Sequence, residues 1–313
     1  MFERVFKLSE HKTTVKTEVM AGITTFMTMA YILAVNPSVL GSTGMDTTAV
    51  LLATALASCL GTLCMAFMAN LPFALSAGMG LNAFMAYTVV AGYGYSWQVA
   101  LLAVFIEGLI FIVLSLTNIR EAIFNAIPLT LKKGVSVGIG LFIAFIGLQN
   151  SGLCVDSATL VGIISFPENF HTAGICALLT LIGLFFTAVF YTRKMKGAIL
   201  YGILLTWILG MICQVTGLYV PTPDAGFYSL FPSWGMTDFS KLGLTFGQCF
   251  NVDFSAVGIV NFIVVIFSFL FVDIFDTLGT LIGVATKAKM LDKDGKLPGI
   301  KPALMADSIA TSA

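Results

Sequence analysis

The sequence predicts an all-α membrane protein that crosses the bilayer many times. Hydrophobic residues make up 58% of its 313 residues and charged residues only 10%, and the mean hydropathy is +0.97. A soluble domain carries about a quarter charged residues. The apolar runs are long, which favours helices over the short alternating strands of a membrane barrel. The net charge is zero, so the expected partner is the lipid bilayer, and nucleic acid is not an expected partner.

Eight apolar runs are long enough to be membrane helices. They cover residues 19–36, 48–69, 74–91, 98–117, 134–150, 173–191, 197–217 and 256–285. A ninth run begins near Pro302. Residues 1–17 mix basic and apolar side chains, which predicts a short amphipathic segment on the inner membrane surface.

The basic residues test the orientation, because cytoplasmic loops hold the excess of Lys and Arg. With the N-terminus inside, fifteen of the 16 basic residues fall on the cytoplasmic side, and Arg120 and Lys132 are among them. Lys241 alone falls outside, in the long external loop 218–255. This alternation predicts a multi-pass protein of the cell membrane with a cytoplasmic N-terminus. No Lys or Arg lies inside a predicted span.

Two aspartates interrupt the eighth run. Asp273 and Asp276 are the charged residues between positions 257 and 285, and a carboxylate at membrane depth is costly and usually functional. Positions three apart lie near one another on a helix, so both side chains can face one polar cavity, which Thr277 and Thr280 extend. The alternative is that structural hydrogen bonds between helices hold both carboxylates.

The third run predicts a broken helix. Pro72 disfavours helix just before it, and Gly78 and Gly80 interrupt it well inside the apolar stretch. Transporters use such breaks to direct helix ends at substrate. Asn82 then lies at the start of a half-helix, near exposed backbone N–H groups. The alternative is that the glycines only permit close packing of helices.

Other polar residues within the apolar runs give weaker indications. In the first run, Thr25 and its neighbouring threonines either pack or line a cavity. Glu107 is a lone carboxylate in the fourth run, either protonated or bonded to a neighbouring helix, and Asp307 raises the same question in the ninth run. Neither the two isolated histidines nor the six cysteines form a metal motif, so we expect no metal and no cofactor.

Three ordered motifs resemble one transporter family. They are Gly22-Ile-Thr-Thr-Phe-Met-Thr-Met-Ala-Tyr-Ile32, Gly78-Met-Gly-Leu-Asn-Ala-Phe84 and Phe271-Val-Asp-Ile-Phe-Asp-Thr-Leu-Gly-Thr280. Together they look like the AzgA-like purine permeases, a branch of the nucleobase:cation symporters related to the uracil permease UraA. The resemblance runs from about residue 15 to the end of the chain.

The resemblance implies a UraA-like fold of two inverted seven-helix repeats, divided into a core domain and a gate domain. On this pattern, residues 18–117 hold core helices 1–4, residues 118–217 hold gate helices 5–7, and residues 256–313 begin the second repeat. Family members continue well past residue 313, and their tenth helix carries a glutamate that also contacts the purine. We therefore expect the 313-residue chain alone to transport purines poorly or not at all.

The resemblance also implies a function. It indicates proton-coupled uptake of hypoxanthine, guanine or adenine, with H⁺ as the coupling ion and no enzymatic activity. The family's roles fall on Asn82 and Asp273 as purine contacts and on Asp276 as a residue needed for transport. We add Asp276, Thr25 and Gly80 to the predicted substrate site. Asp276, Thr277 and Glu107 are predicted to support the site or to couple the proton.

Three other functions remain open. A carrier for another solute, such as uracil or an anion, shares this architecture, but two aspartates would repel an anion. An intramembrane aspartyl protease would place its aspartates on two helices, whereas here both lie on one turn. A channel would show a ring of charges or a carbonyl filter repeat. The sequence does not determine which purine is preferred, or whether two copies form a homodimer.

Overall fold

The computed structural model describes residues 2–10, 13–117, 119–158, 160–195, 197–223, 226–232, 235, 237–253, 257–291 and 297–312. The described chain is mainly helical. Its α-helices are α1 (Phe2–Phe6), α2 (Val15–Met29), α3 (Ile32–Gly41), α4 (Thr47–Cys64), α5 (Met79–Ala83), α6 (Trp97–Leu116), α7 (Ile119–Ala126), α8 (Leu129–Asn150), α9 (Phe166–Asn169), α10 (Ile175–Thr192), α11 (Ala198–Val215), α12 (Ile259–Lys287) and α13 (Ile300–Ser312). Strands β1 (Val155–Ser157) and β2 (Leu160–Gly162) pair antiparallel, with Asp156 opposite Val161.

Three of these helices continue into wider π-helical turns. These turns are Met65–Ala69 after α4, Phe84–Gly92 after α5 and Phe170–Gly174 after α9. Short 3₁₀ helices cover Phe239–Leu244 and Gln248–Phe250 in the long loop before α12.

Seven described helical stretches are long and apolar enough to span a membrane, which confirms a polytopic helical protein. They are Val15–Gly41, Thr47–Ala69, Trp97–Leu116, Thr130–Asn150, Phe166–Thr192, Ala198–Val215 and Ile259–Lys287. The third predicted run is instead a shorter helix, Met79–Gly92. The first predicted run is not one continuous helix, because a turn at Ala30 and Tyr31 separates α2 from α3. There the backbone N–H of Leu33 reaches back only three residues, to the carbonyl of Ala30.

Contacts within the chain divide it into two compact units. The first unit comprises Met1–Gly22, Ala30–Gly140 and Thr237–Ala313, and the second comprises Ile23–Met29 and Leu141–Met236. Helices α2 and α8 each contribute residues to both units.

Helix α12 carries the core of the first unit. Towards its N-terminus, the fully buried Phe269 packs in an apolar cluster with Val89 and with Ala103 of α6. Towards its C-terminus, Leu278 packs in a second cluster with Leu304 of α13. Because apolar side chains gain little from leaving lipid, close packing of this kind holds membrane helices together. The polar stretch that contains the two aspartates lies between these two clusters.

The second unit is built around the pair α10 and α11. Two glycines allow these helices to approach closely, since a Cβ at Gly183 would collide with Thr206, and one at Gly202 would collide with Thr187. Each threonine hydroxyl donates to a carbonyl on its own helix, Thr187 to Gly183 and Thr206 to Gly202. Small residues at a helix interface are the usual means of close packing in membranes.

Candidate functional site

The broken helix predicted for the third run is present. Residues 70–78 are not helical, and α5 begins at Met79. The Thr62 hydroxyl of α4 satisfies part of this irregular backbone, because it contacts the N–H and carbonyl of Leu75 at 3.1 and 3.2 Å. A second bond from α4 joins the side-chain hydroxyls of Ser58 and Ser76 at 2.7 Å. Irregular backbone at membrane depth is tolerated only where protein or a cavity satisfies it in this way.

The start of the half-helix meets the aspartate helix at Gly78. This residue is extended (φ −75°, ψ 122°), and a Cβ placed on it would lie 2.5 Å from Oδ2 of Asp276. A side chain there would displace the carboxylate, so glycine is required for this close approach. A Cβ placed on Gly80 meets nothing within 4 Å. Gly78 therefore packs against a carboxylate, and Gly80 borders open space.

Asn82 lies on the first turn of the half-helix, as predicted, with its backbone N–H bonded to the carbonyl of Gly78 at 3.1 Å. Its side-chain amide donates to Oδ1 of Asn36 on α3. Asn36 is buried and donates in turn to the hydroxyl of Thr54 at 2.6 Å. Asn36 was not singled out from the sequence, although a polar amide within the first apolar run is a signal that could have identified it.

The two aspartates of α12 have different surroundings. Asp273 is buried, and its Oδ2 lies 3.9 Å from the guanidinium of Arg120. Asp276 is partly exposed and lies beside Gly78. Within the part of the chain that the structure describes, no cation pairs with Asp276. The two aspartates are three positions apart on α12, and their side chains have different neighbours. Asp273 faces an ion cluster, and Asp276 faces the half-helix.

Arg120 is the centre of that ion cluster. Its guanidinium donates to Oδ2 of Asp307 at 2.6 Å, to the hydroxyl of Ser308 at 2.7 Å and to the carbonyl of Leu304 at 2.9 Å. It also lies over the ring of Phe111, 4.0 Å from the centroid. The short helix α7 is thereby tied to α13 through a buried, charge-assisted pair.

The burial of Arg120 is a feature that the sequence interpretation did not include. The sequence predicts Arg120 and Lys132 on the cytoplasmic side of the membrane, and in the folded chain their exposed fractions are only 3% and 4%. A long arginine side chain can reach inwards from the end of a helix, and the carboxylates of α12 and α13 offer it partners there. The sequence around Arg120 holds no signal for this burial, because its partner Asp307 is 187 positions away.

Thr277 links the aspartate helix to the same cluster. Its hydroxyl lies 2.9 Å from Oδ2 of Asp307, 3.3 Å from the Arg120 guanidinium and 3.4 Å from Oδ1 of Asp273. A hydroxyl has one proton to donate, and the shortest of these contacts takes it to Asp307. Asp273 therefore receives at most a weak hydrogen bond from Thr277.

Glu107 is fully buried on α6, next to Asp273. Neither oxygen of Glu107, nor Oδ2 of Asp273, receives a hydrogen bond from an N–H or hydroxyl group among the described residues. The two carboxyls lie within hydrogen-bonding reach of each other, so a proton on either one would join them. Within the described ranges, no group of His, Cys, Asp or Glu has the arrangement of a metal site.

Thr25 belongs to the second unit, where it is half-buried and its backbone carbonyl accepts a hydrogen bond from the hydroxyl of Thr28 at 2.7 Å. The other predicted site residues, Gly80, Asn82, Glu107, Asp273, Asp276 and Thr277, all belong to the first unit.

Comparison with known proteins identifies the family. Residues 16–313 match the model of the Permease family. The chain is 47% identical over 310 residues to "Putative permease MJ0326" of Methanocaldococcus jannaschii, covering 99% of this chain and 66% of that protein. It is 42% identical over 315 residues to "Guanine/hypoxanthine permease PbuO" of Bacillus subtilis, covering 98% and 67%.

A third relative is "Adenine permease AdeP" of Escherichia coli, 40% identical over 316 residues and covering 99% of this chain and 65% of that protein. The chain spans about two thirds of the length of these curated relatives. The chain belongs to the Permease family, as its three motifs predicted, and purine permeases are among its relatives.

Proposed function

We propose that the protein is a secondary active transporter that takes purine nucleobases across the cell membrane together with protons. Three relatives that the chain resembles carry names for guanine, hypoxanthine or adenine transport. The observation that carries the proposal is the buried carboxyl of Asp273, whose Oδ2 receives no hydrogen bond from an N–H or hydroxyl group among the described residues and which lies on the same helix as Asp276, the residue that meets the half-helix. Purine ring N–H groups are donors that would satisfy such an oxygen.

The surroundings of the two aspartates support a division of roles. Asp273 is buried, next to Glu107 and 3.9 Å from the guanidinium of Arg120, so we assign to its carboxyl oxygens the hydrogen bonds from the base. Asp276 is partly exposed and has no counter-ion among the described residues, which suits a carboxyl group that takes up and releases the coupling proton. Asn82 and the open space at Gly80 complete the proposed binding site.

The charge balance disfavours an anion as substrate. Arg120 is a buried cation beside Asp273, but Asp307 already pairs with it at 2.6 Å. Glu107 and Asp273 add two more acidic groups. An anion would meet an excess of negative potential there. A neutral base avoids this repulsion and can donate its N–H groups to carboxyl oxygens.

The remaining assignments are part of the same proposal. Alternating access would move a core domain against a gate domain around a site near the middle of the membrane. The division at residues 117 and 118, the inverted repeats and the cytoplasmic N-terminus follow the family resemblance described above. Thr277 on α12 is proposed to support the site.

Binding of radiolabelled hypoxanthine tests the proposal, using protein expressed from its complete reading frame and purified in detergent. Asp273→Asn replaces one carboxyl oxygen by an NH₂ group that cannot accept a hydrogen bond, and we expect affinity to fall at least tenfold, since a buried polar group left unpaired costs about 1–3 kcal/mol. Asp276→Asn should retain binding but lose uptake driven by a pH gradient in vesicles. Asp46→Asn, outside the proposed site, is the matched control. Unchanged affinity of Asp273→Asn would contradict the assignment.

A further inference from the structure

A chain of three polar side chains runs from the proposed site into the buried interior of the first unit. It begins at Asn82, continues through Asn36 of α3 and ends at Thr54 of α4. Asn36 and Thr54 have exposed fractions of only 4% and 5%. Their polar atoms are therefore withdrawn from solvent, and their hydrogen bonds determine how each group is oriented.

The direction of each hydrogen bond in this series of side chains is determined by Thr54, at the buried end of the series. The Thr54 hydroxyl donates its single proton to the carbonyl of Val50, one turn earlier on α4, at 2.7 Å. Its oxygen can then only accept from Asn36, so Asn36 must present its NH₂ group to Thr54 at 2.6 Å.

The carbonyl oxygen of Asn36 then faces Asn82, so Asn82 must donate a hydrogen bond to it from its own NH₂ group. The carbonyl oxygen Oδ1 of Asn82 is the last group in this series of hydrogen bonds. No residue in the described part of the protein donates a hydrogen bond to it. A flip of the Asn82 amide would bring two carbonyl oxygens together, and no proton would lie between them.

We propose that Asn36 and Thr54 are positioning residues that fix Asn82 with its carbonyl oxygen towards the ligand. This inference rests on the proposed function and adds a specificity rule to it. Next to the carbonyl oxygen of Asn82, the site selects a base that offers an N–H donor in its six-membered ring, as a 6-oxopurine does. Adenine offers a ring nitrogen lone pair there and would face the Asn82 oxygen without a proton between them. A site that hydrogen-bonds one partner rejects the analogue that leaves its polar group unpaired.

Two substitutions of Thr54 distinguish its role in orienting the Asn36 amide from its role in packing. Thr54→Val keeps the shape of the side chain and removes the hydroxyl, so the Asn36 amide loses the contact that orients it. Thr54→Ser keeps the hydroxyl. Ser58→Ala, which removes a different hydroxyl of α4 bonded to Ser76, is the matched control. The measurement is the dissociation constant for hypoxanthine and for adenine, by displacement of radiolabelled base from purified protein expressed from its complete reading frame.

In the unsubstituted protein we expect hypoxanthine to bind at least about tenfold more tightly than adenine. Thr54→Val should reduce this ratio at least about threefold, because a freed Asn82 amide can turn and donate to adenine. Thr54→Ser and Ser58→Ala should keep the ratio. A merely structural role for Thr54 would weaken both bases equally and leave the ratio unchanged, which would overturn the inference.

A second comparison covers the case in which Thr54→Val does not fold. Asn36→Asp retains an acceptor for the Asn82 NH₂ group and should keep the ratio, whereas Asn36→Leu should lower it. Equal ratios in these two variants would also overturn the inference. If the unsubstituted protein bound neither base, this result would contradict both the proposed function and the specificity rule. Binding with an unaltered ratio throughout would remove the specificity rule alone.

Discussion

The buried pair between Arg120 and Asp307 should be a large contributor to stability. Arg120→Met removes a cation whose side chain is 4% exposed and leaves Asp307, 2.6 Å away, without its partner. Removing one member of a buried ion pair costs about 3–5 kcal/mol, because the remaining charge stays desolvated. The Leu304 carbonyl and the Ser308 hydroxyl also lose a donor. Because the Asp307 side chain is itself 18% exposed, we expect the free energy of unfolding to fall by about 3 kcal/mol, the lower end of this range.

A double-mutant cycle isolates the interaction between the two residues. Asp307→Asn alone should also destabilise the protein, but the double variant should lose less than the sum of the single variants. We expect a coupling energy of about 2–3 kcal/mol, the upper range for directly bonded residues. The assay is equilibrium unfolding in mixed detergent micelles, followed by tryptophan fluorescence.

The pair of Lys241 and Asp46 is a matched control, because its ions lie 3.0 Å apart but are 39% and 30% exposed. Exposed ion pairs contribute about 0–1 kcal/mol. The cycle of Lys241→Met and Asp46→Asn should therefore show weak coupling. If the Arg120 cycle gave a coupling no larger than this exposed pair, the buried pair would not hold α7 to α13, and our reasoning would be refuted.

Two further predictions concern the half-helix and the loop before α4. Gly78→Ala places a methyl group 2.5 Å from Oδ2 of Asp276; we expect at least a tenfold loss of pH-driven uptake of hypoxanthine, with a smaller change in stability than a core substitution gives. Its control is Gly138→Ala on α8, where a Cβ meets nothing within 4 Å. Normal uptake by Gly78→Ala would show that transport does not require the Asp276 carboxylate to keep its position beside residue 78. The backbone N–H of Ala49 and the ammonium of Lys241 lower the pKa of Asp46 below its ordinary value of 3.8. Because the pKa is lowered in the folded state, the stabilisation is present above pH 3.8 and is lost as the pH falls through the folded pKa. Asp46→Asn should therefore lose less stability than the unsubstituted protein on acidification below pH 3.8, as measured by thermal unfolding; parallel pH profiles would contradict this.

The half-helix shows how much of a site local chemistry can predict. Pro72, Gly78 and Gly80 disfavour a continuous helix whatever they pack against, and the break between residues 70 and 78 agrees with that expectation. The position of Asn82 on the first turn followed from the same pattern. What the pattern could not supply was the partner of Gly78, because Asp276 is nearly two hundred positions away and meets it only through packing of α12.

Arg120 shows the opposite case. Its sequence neighbourhood is typical of a cytoplasmic loop, and counting basic residues placed it there. Its burial depends on Asp307, Leu304 and Ser308, which α13 brings together. Asn36 is an intermediate case, because an amide inside an apolar run is visible in the sequence, but its bond to Asn82 is not.

The sequence by itself determined the membrane class, most of the spanning helices, the broken third helix and the family, because composition, run length and backbone-breaking residues act locally and need no knowledge of neighbours. The tertiary structure alone decided which polar side chains share a site. Asp273 faces Arg120 and Glu107, while Asp276 faces Gly78. The physical reason is that a desolvated charge or amide must find its partners wherever packing brings them, and those partners lie on helices far apart in the chain.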